Sequence, residues 1–135
     1  MKQYLNSEQT AKLIELGLEK PKSISGFCQR GPYEYDAETN TKMVVYDDTQ
    51  YPIYAYSIGE LIEILPKTII HEIWWGEEKG MEGVWGLCID TEATDYGWDV
   101  TYTRNSSAYL YRVGRTELID ALYDMVVKLK EEGVI

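Results

Sequence analysis

Phenylalanine is nearly missing from this chain. Twelve tyrosines and four tryptophans stand against one phenylalanine, Phe27. Phe fills cores freely because it has nothing to satisfy when buried. Tyr and Trp carry an O–H or N–H and suit places where one end is dry and the other wet. The bias points to sheet faces at a rim, clefts and interfaces, and to a surface rather than a reaction. Other absences narrow the field. There is one histidine, His71, and there are two cysteines, Cys28 and Cys88, without motif spacing. Such a set makes no His/Cys zinc site. No Lys/Arg run occurs, and 23 acids against 13 bases give a formal net charge of −10. Each phosphate contact needs a cation, so direct binding to nucleic acid or an anionic membrane is disfavoured. No apolar run approaches the roughly 18 residues of a membrane span, and Met1 to Thr10 lacks the apolar core of a signal segment. The expectation is a cytoplasmic protein with two reduced, buried thiols rather than a disulfide.

Motifs for common chemistry are missing as well. There is no G-x-S-x-G, no G-x-x-x-x-G-K-[ST] and no G-x-G-x-x-G. Gly76, Gly80, Gly83 and Gly86 are too loosely spaced for a phosphate loop, and Glu77-Glu78 would repel phosphate. Ser57 is explained by helix capping and Ser106-Ser107 by a turn. No catalytic residue, metal site or cofactor is expected.

A chain of 135 residues with 44% hydrophobic side chains is one folded domain, 1–135, and it shows no repeat, linker or low-complexity segment. A helix is predicted over Ser7–Leu16, capped by Asn6 or Ser7 and ended by Gly17 with Leu18 folding back on Leu13. Ile24 to Tyr56 reads as β structure. Gly31-Pro32 and Asp47-Asp48-Thr49-Gln50 read as turns, Asp36 to Lys42 as a hairpin tip, and Ile53–Tyr56 as a short edge strand. Ser57-Ile58-Gly59-Glu60 is a capping box that opens a second helix with Ile58, Leu61, Ile62 and Leu65 on one face, stopped by Pro66. Strands follow at Ile69–Trp75, Val84–Asp90, Trp98–Thr103 and Tyr109–Val113. The last helix has Thr116 as cap, the stripe Leu118, Ile119, Leu122, Met125, Val126 and Leu129, an Asp124–Lys128 pair, and Gly133 as its stop. The fold class is α+β: a single antiparallel sheet of five to six strands, two helices on one face, and a short N-terminal helix.

Three groups invite a functional reading. His71 alternates with Ile69, Ile73 and Trp75, which places a hydrogen-bonded histidine in a sheet; the alternative is a base or ligand. Asp90, Glu92, Asp95 and Asp99 cluster about one connector, and Asp47-Asp48 about another. Loop carboxylates are ordinarily solvated turns, the alternatives being a hard-cation site or an acid/base pair. The tyrosines Tyr33, Tyr35, Tyr46, Tyr51, Tyr54 and Tyr56, with Trp74 and Trp75, form the candidate binding surface. The competing reading is cross-strand tyrosine pairing that stabilises the sheet. Trp74-Trp75 on one strand puts one indole on each face.

Two stretches, Tyr56-Ser57-Ile58-Gly59-Glu60-Leu61-Ile62-Glu63-Ile64-Leu65-Pro66-Lys67 and Glu117 to Leu129 with the closing Glu132-Gly133, carry a resemblance. They are similar to small acidic bacterial proteins associated with prophages and other mobile elements. The resemblance implies an N-terminal helix, a Leu-Pro-Lys helix end, a sheet and an amphipathic last helix. It brings no catalytic residues with it. The function expected is a non-catalytic protein-binding or accessory module of a mobile element, acting on a protein partner or by self-association. Two alternatives stay open: a small-ligand module or enzyme with an aromatic and carboxylate cleft, and an acidic mimic of nucleic acid.

Overall fold

Local hydrogen bonds set the helix ends in the computed structural model. It describes residues 1–35, 42–91, 97–105 and 108–135, with positions 30–35, 42–48 and 105 described by backbone alone. Helix α1 (Ser7–Glu15) opens with a reciprocal box: the Asn6 side chain accepts from the Gln9 N–H at 2.8 Å, and the Gln9 side chain accepts from the Asn6 N–H at 3.2 Å. It closes as expected. Gly17 takes φ +96°, its N–H reaches the Ile14 carbonyl, and the Leu18 N–H reaches that of Leu13 at 3.2 Å. Helix α2 (Ile58–Ile64) carries the same box between Ser57 and Glu60, and Leu65 turns extended ahead of Pro66. Helix α3 (Leu118–Glu131) starts one residue later than expected, at Glu117, without a side-chain cap. The expected Asp124–Lys128 pair does not form. Arg115, from the preceding strand, takes Asp124 at 2.6 Å, while the Lys128 ammonium lies 5.7 Å over the Tyr111 ring.

The strands form two antiparallel sheets rather than one. β1 (Ile24–Tyr35) and β2 (Lys42–Tyr54) make a two-stranded ribbon. β3 (Thr68–Glu72), β4 (Glu82–Asp90), β5 (Trp98–Asn105) and β6 (Ala108–Arg115) make a meander in that spatial order. The physical reason lies in the expected turns. Gly31-Pro32 and Asp47 to Gln50 sit inside continuous strands, and the register slips between Cys28 and Arg30 and again between Arg30 and Tyr33. A bulge absorbs a Gly-Pro pair without reversing the chain. Segments expected as short sheet strands therefore extend as one long hairpin. Among the described residues, β1 and β2 pack chiefly on each other.

The core lies between the meander and the helices. α3 packs on β5 and β6, and α2 packs on α3. α3 buries Leu118, Ile119, Leu122, Met125, Val126 and Leu129; the sheet supplies Trp85, Val100 and Tyr102. Tyr102 is fully buried. Its hydroxyl donates to the Pro66 carbonyl at 2.7 Å, and burial pushes the phenol pKa up. Tyr102→Phe leaves that carbonyl bare and is expected to lose about 1–2 kcal/mol. The measurement is a lower urea midpoint at unchanged slope; an unmoved midpoint would mean the bond adds nothing.

The opposite sheet face carries Cys88 together with the buried Thr101 and Asp99. Cys88 alternates with Leu87 and Ile89, so it points to that face and is exposed, while Cys28 on the ribbon is half-buried. The expectation of two buried thiols fails because both cysteines lie outside the core cluster, Cys28 on the ribbon and Cys88 on the strand side opposite Trp85, and neither forms a disulfide. No helix among the described residues is long and apolar enough to cross a membrane.

Candidate functional site

Strand β3 stops at Glu72, so Trp74 and Trp75 do not occupy opposite faces of a strand. They open the hairpin loop between β3 and β4. Ile73 closes that loop, donating to the Met81 carbonyl and accepting from the Gly80 N–H, both at 2.9 Å. Within it the Lys79 N–H reaches Gly76 and the Met81 N–H reaches Glu78. Gly76 and Gly80 hold φ of +76° and +89°, a region that L side chains enter only with strain.

The loop leans on one buried side chain. Trp85 has no exposed surface, and its Nε1 donates to the His71 carbonyl at 3.3 Å. The Trp74 and Trp75 rings sit 6.4 and 5.7 Å from it and 6.3 Å from each other. His71 meets Trp74 edge-on at 5.1 Å. This is a structural place for the histidine, consistent with its reading as a sheet residue. Trp74 and Trp75 nevertheless remain 47% and 43% exposed. A covered tryptophan buries roughly 150–250 Å², so each retains a large uncovered indole face.

Beside them is a cleft of about 350 Å³ lined by Ile73, Trp75, Gly76, Glu77, Glu78 and Arg104. Arg104 donates to Glu78 at 2.9 Å. Its guanidinium and Ile73 fill the space over Gly83, where an added Cβ would fall 2.5 Å from Arg104 Nη1 and 2.9 Å from Ile73. Gly83 is therefore glycine because the cleft floor needs the room. In the sequence Gly83 was weighed only as a phosphate-loop glycine and Arg104 was not read as a site residue, although a glycine inside a strand signals such close approach. On the adjoining strand faces Ile70 and Val84 are register partners, 67% and 59% exposed.

The tyrosines divide. Tyr56 is buried, and its hydroxyl donates to the Glu19 carbonyl, so it is no part of a surface. Tyr54 is half exposed and Tyr51 half-buried on β2. Tyr33, Tyr35 and Tyr46 lie on the ribbon backbone, opposite Val44, Lys42 and Arg30. The ribbon also exposes Ile24, Ile53 and, at 61%, Phe27. Neither Tyr54 nor Tyr56 has a ring contact with the Trp74–Trp75 pair.

Of the candidate carboxylates, the structure describes the side chains of Asp90 and Asp99. Asp99 is buried and paired with Arg112 at 2.9 Å, opposite Asp90 in the β4–β5 register. Glu92 and Asp95 lie outside the described residues, and Asp47 and Asp48 are described by backbone alone. Among the described residues no group of three or more His, Cys, Asp or Glu is arranged to hold a metal ion. Glu60 is engaged structurally: it accepts from the N–H groups of Lys22, Ser23 and Ser57. Comparison with protein-family models, curated proteins and solved structures returned no match to this chain.

Proposed function

We propose that the protein is a cytoplasmic, non-catalytic accessory module, of the kind carried by mobile elements, that binds another protein through the Trp74–Trp75 rim. The observation that carries this reading is a pair of adjacent indoles, each more than two-fifths exposed, seated on a fully buried third. Tryptophan and arginine dominate interface hot spots, and a rigid seat lowers the entropy lost on docking. The ribbon supports the same reading. A lone two-stranded hairpin is marginal in water, and this one exposes Phe27, Ile24, Ile53 and Tyr54. It serves as a second contact that orders against the partner. Neither nucleic acid nor membrane is the target; the net charge of −10 works against both.

Trp74→Ala is expected to weaken capture of the partner at least tenfold, since hot-spot truncations lose about 2 kcal/mol or more. Quantitative capture from the native host, at low and moderate salt, compares wild type with this variant. Identical captured sets would sink the reading. Sedimentation over a concentration series separates a second copy of the chain from a different protein as the partner.

The cleft favours a second reading, a small-ligand module in which Trp75 stacks the ligand and Glu77 with Arg104 orients it. Thermal-shift screening with metabolites tests it, because a ligand at a hundred times its Kd stabilises by about 2.7 kcal/mol.

A further inference from the structure

We infer that the Trp74–Trp75 rim takes a cationic side chain, an arginine or lysine presented by a partner protein; this rests on the protein-binding reading above. The indoles supply faces for a cation. Arg or Lys over tryptophan is the most favourable cation–π pairing, and it strengthens as the cation loses water. Charge around the loop has the matching sign. Residues 72–82 carry Glu72, Glu77, Glu78 and Glu82 against Lys79 alone. The remaining cation at the cleft, Arg104, is already neutralised by Glu78 at 2.9 Å and laid against Gly83. Glu77 lines the same cleft as Trp75, and no described cation pairs with it.

A second observation is independent of the cleft. Glu72 and Glu82 stand directly opposite each other in the β3–β4 register, at the root of the loop that carries both indoles. Both are exposed, and no described cation bridges them. Like charges directly opposed across a strand pair are destabilising. The pair projects from the strand face opposite Gly83 and Trp85, so together with Glu77 and Glu78 it makes the surroundings of the loop acidic on both faces, on a chain of net charge −10.

The test uses the purified full chain and three probes: N-acetyl-arginine amide, N-acetyl-leucine amide and N-acetyl-glutamate amide. The readout is the indole N–H resonances, assigned with Trp74→Phe and Trp75→Phe. The arginine probe is expected to move the Trp74 and Trp75 signals saturably and more weakly as salt rises. Glu77→Gln should weaken that binding about threefold, the size of one exposed charge pair. Glu82→Lys, on the other strand face, should weaken it by less, through the charge of the loop root rather than by contact, while raising the melting temperature by roughly 2 °C, because cross-strand repulsion becomes attraction. A variant that is more stable and binds less cannot be dismissed as misfolded. Equal shifts from the leucine or glutamate probe would overturn the assignment, as would unchanged affinity in both glutamate variants. Indole signals that move with protein concentration alone would make a second copy the occupant and overturn it too. Trp74-dependent capture of a partner without any response to the arginine probe removes this inference and leaves the binding reading standing; loss of both removes both.

Discussion

Replacing Trp85 by alanine is expected to destabilise the protein by about 3–5 kcal/mol, the range for a large aromatic removed from a closed core. That is a large share of the roughly 5–15 kcal/mol that holds a domain folded. The position combines several losses. Trp85 is fully buried in the core cluster, donates to the His71 carbonyl, and backs both rim indoles. Its strand partners are Ile69 on β3 and Leu87, two residues along, on the same face. The cavity would open between the edge strand and the helices, where β3 has a neighbour on one side only. Trp85→Phe keeps much of the volume but removes the N–H donor, so a smaller loss of about 1–3 kcal/mol is expected. Denaturant melts of the two variants check the order. The same pair separates fold from binding: a folded Trp85→Phe protein should still bind poorly, because Trp74 and Trp75 lose part of their seat. An alanine variant that lost under about 1 kcal/mol would show that the anchor lies elsewhere.

Glu60→Ala is expected to lose about 2–3 kcal/mol, more than a simple helix cap. One carboxylate does two jobs. It closes the capping box on Ser57, and it accepts the Lys22 and Ser23 N–H groups at 3.0 and 3.2 Å, which lead into β1. Glu60→Gln should not rescue it, since one terminus of the amide is itself a donor facing donors. The pH dependence follows. Burial alone would raise the Glu60 pKa, but the combined hydrogen bonds from Lys22, Ser23 and Ser57 outweigh burial and hold it below its ordinary 4.5. Asp120 behaves alike: burial opposes ionisation, and the hydrogen bonds from Gln9 and Lys2, with the charges of Lys2 and Arg115, prevail. A folded pKa below the unfolded one gives stability that is complete above the ordinary value and disappears as pH falls through the lowered one. Wild-type stability should therefore decline below about pH 4.5, and the Glu60→Gln curve should be flatter there, Asp120 still contributing. Parallel acid melts of the two proteins would contradict this.

What the sequence revealed depended on how local the signal was. The Ser57 box, a cap at Asn6 or Ser7, the Gly17 and Gly133 stops, the stripe of α3 and the four meander strands were legible, because each is written within a few residues; the Gln9 half of the Asn6 box was not read. The predicted hairpin tip, Asp36 to Lys42, lies outside the described residues except for Lys42, which opposes Tyr35 as the first residue of β2. The division into two sheets was not legible. Gly-Pro and an Asp-Asp-Thr-Gln run read alike whether a strand reverses or bulges, and only the partner strand decides. The site was half legible. Trp74 and Trp75 were singled out, but as strand residues with opposed faces. Their seat depends on Trp85, ten residues on, and on Arg104 from β5, a neighbour no local pattern contains. Tyr56 was misplaced for a related reason: its hydroxyl partner is the carbonyl of Glu19, far back in the chain.

The position of α3 in the chain order has a consequence for synthesis on the ribosome. The inward face of the meander, Trp85, Val100 and Tyr102 included, is closed by a helix made after all four of its strands. The opening residues wait as well: the Lys2 ammonium lies 3.0 Å from Asp120, and Gln9 donates to the same carboxylate. Until α3 has cleared the exit tunnel, a finished sheet would have one bare apolar side and the N-terminal segment no α3 to fasten to. At translation rates of roughly 5–20 residues per second, that interval lasts about a second or more. In that interval the bare side is the kind of exposed apolar surface that chaperones cover, and the Lys2 and Gln9 contacts to Asp120 can form only after α3.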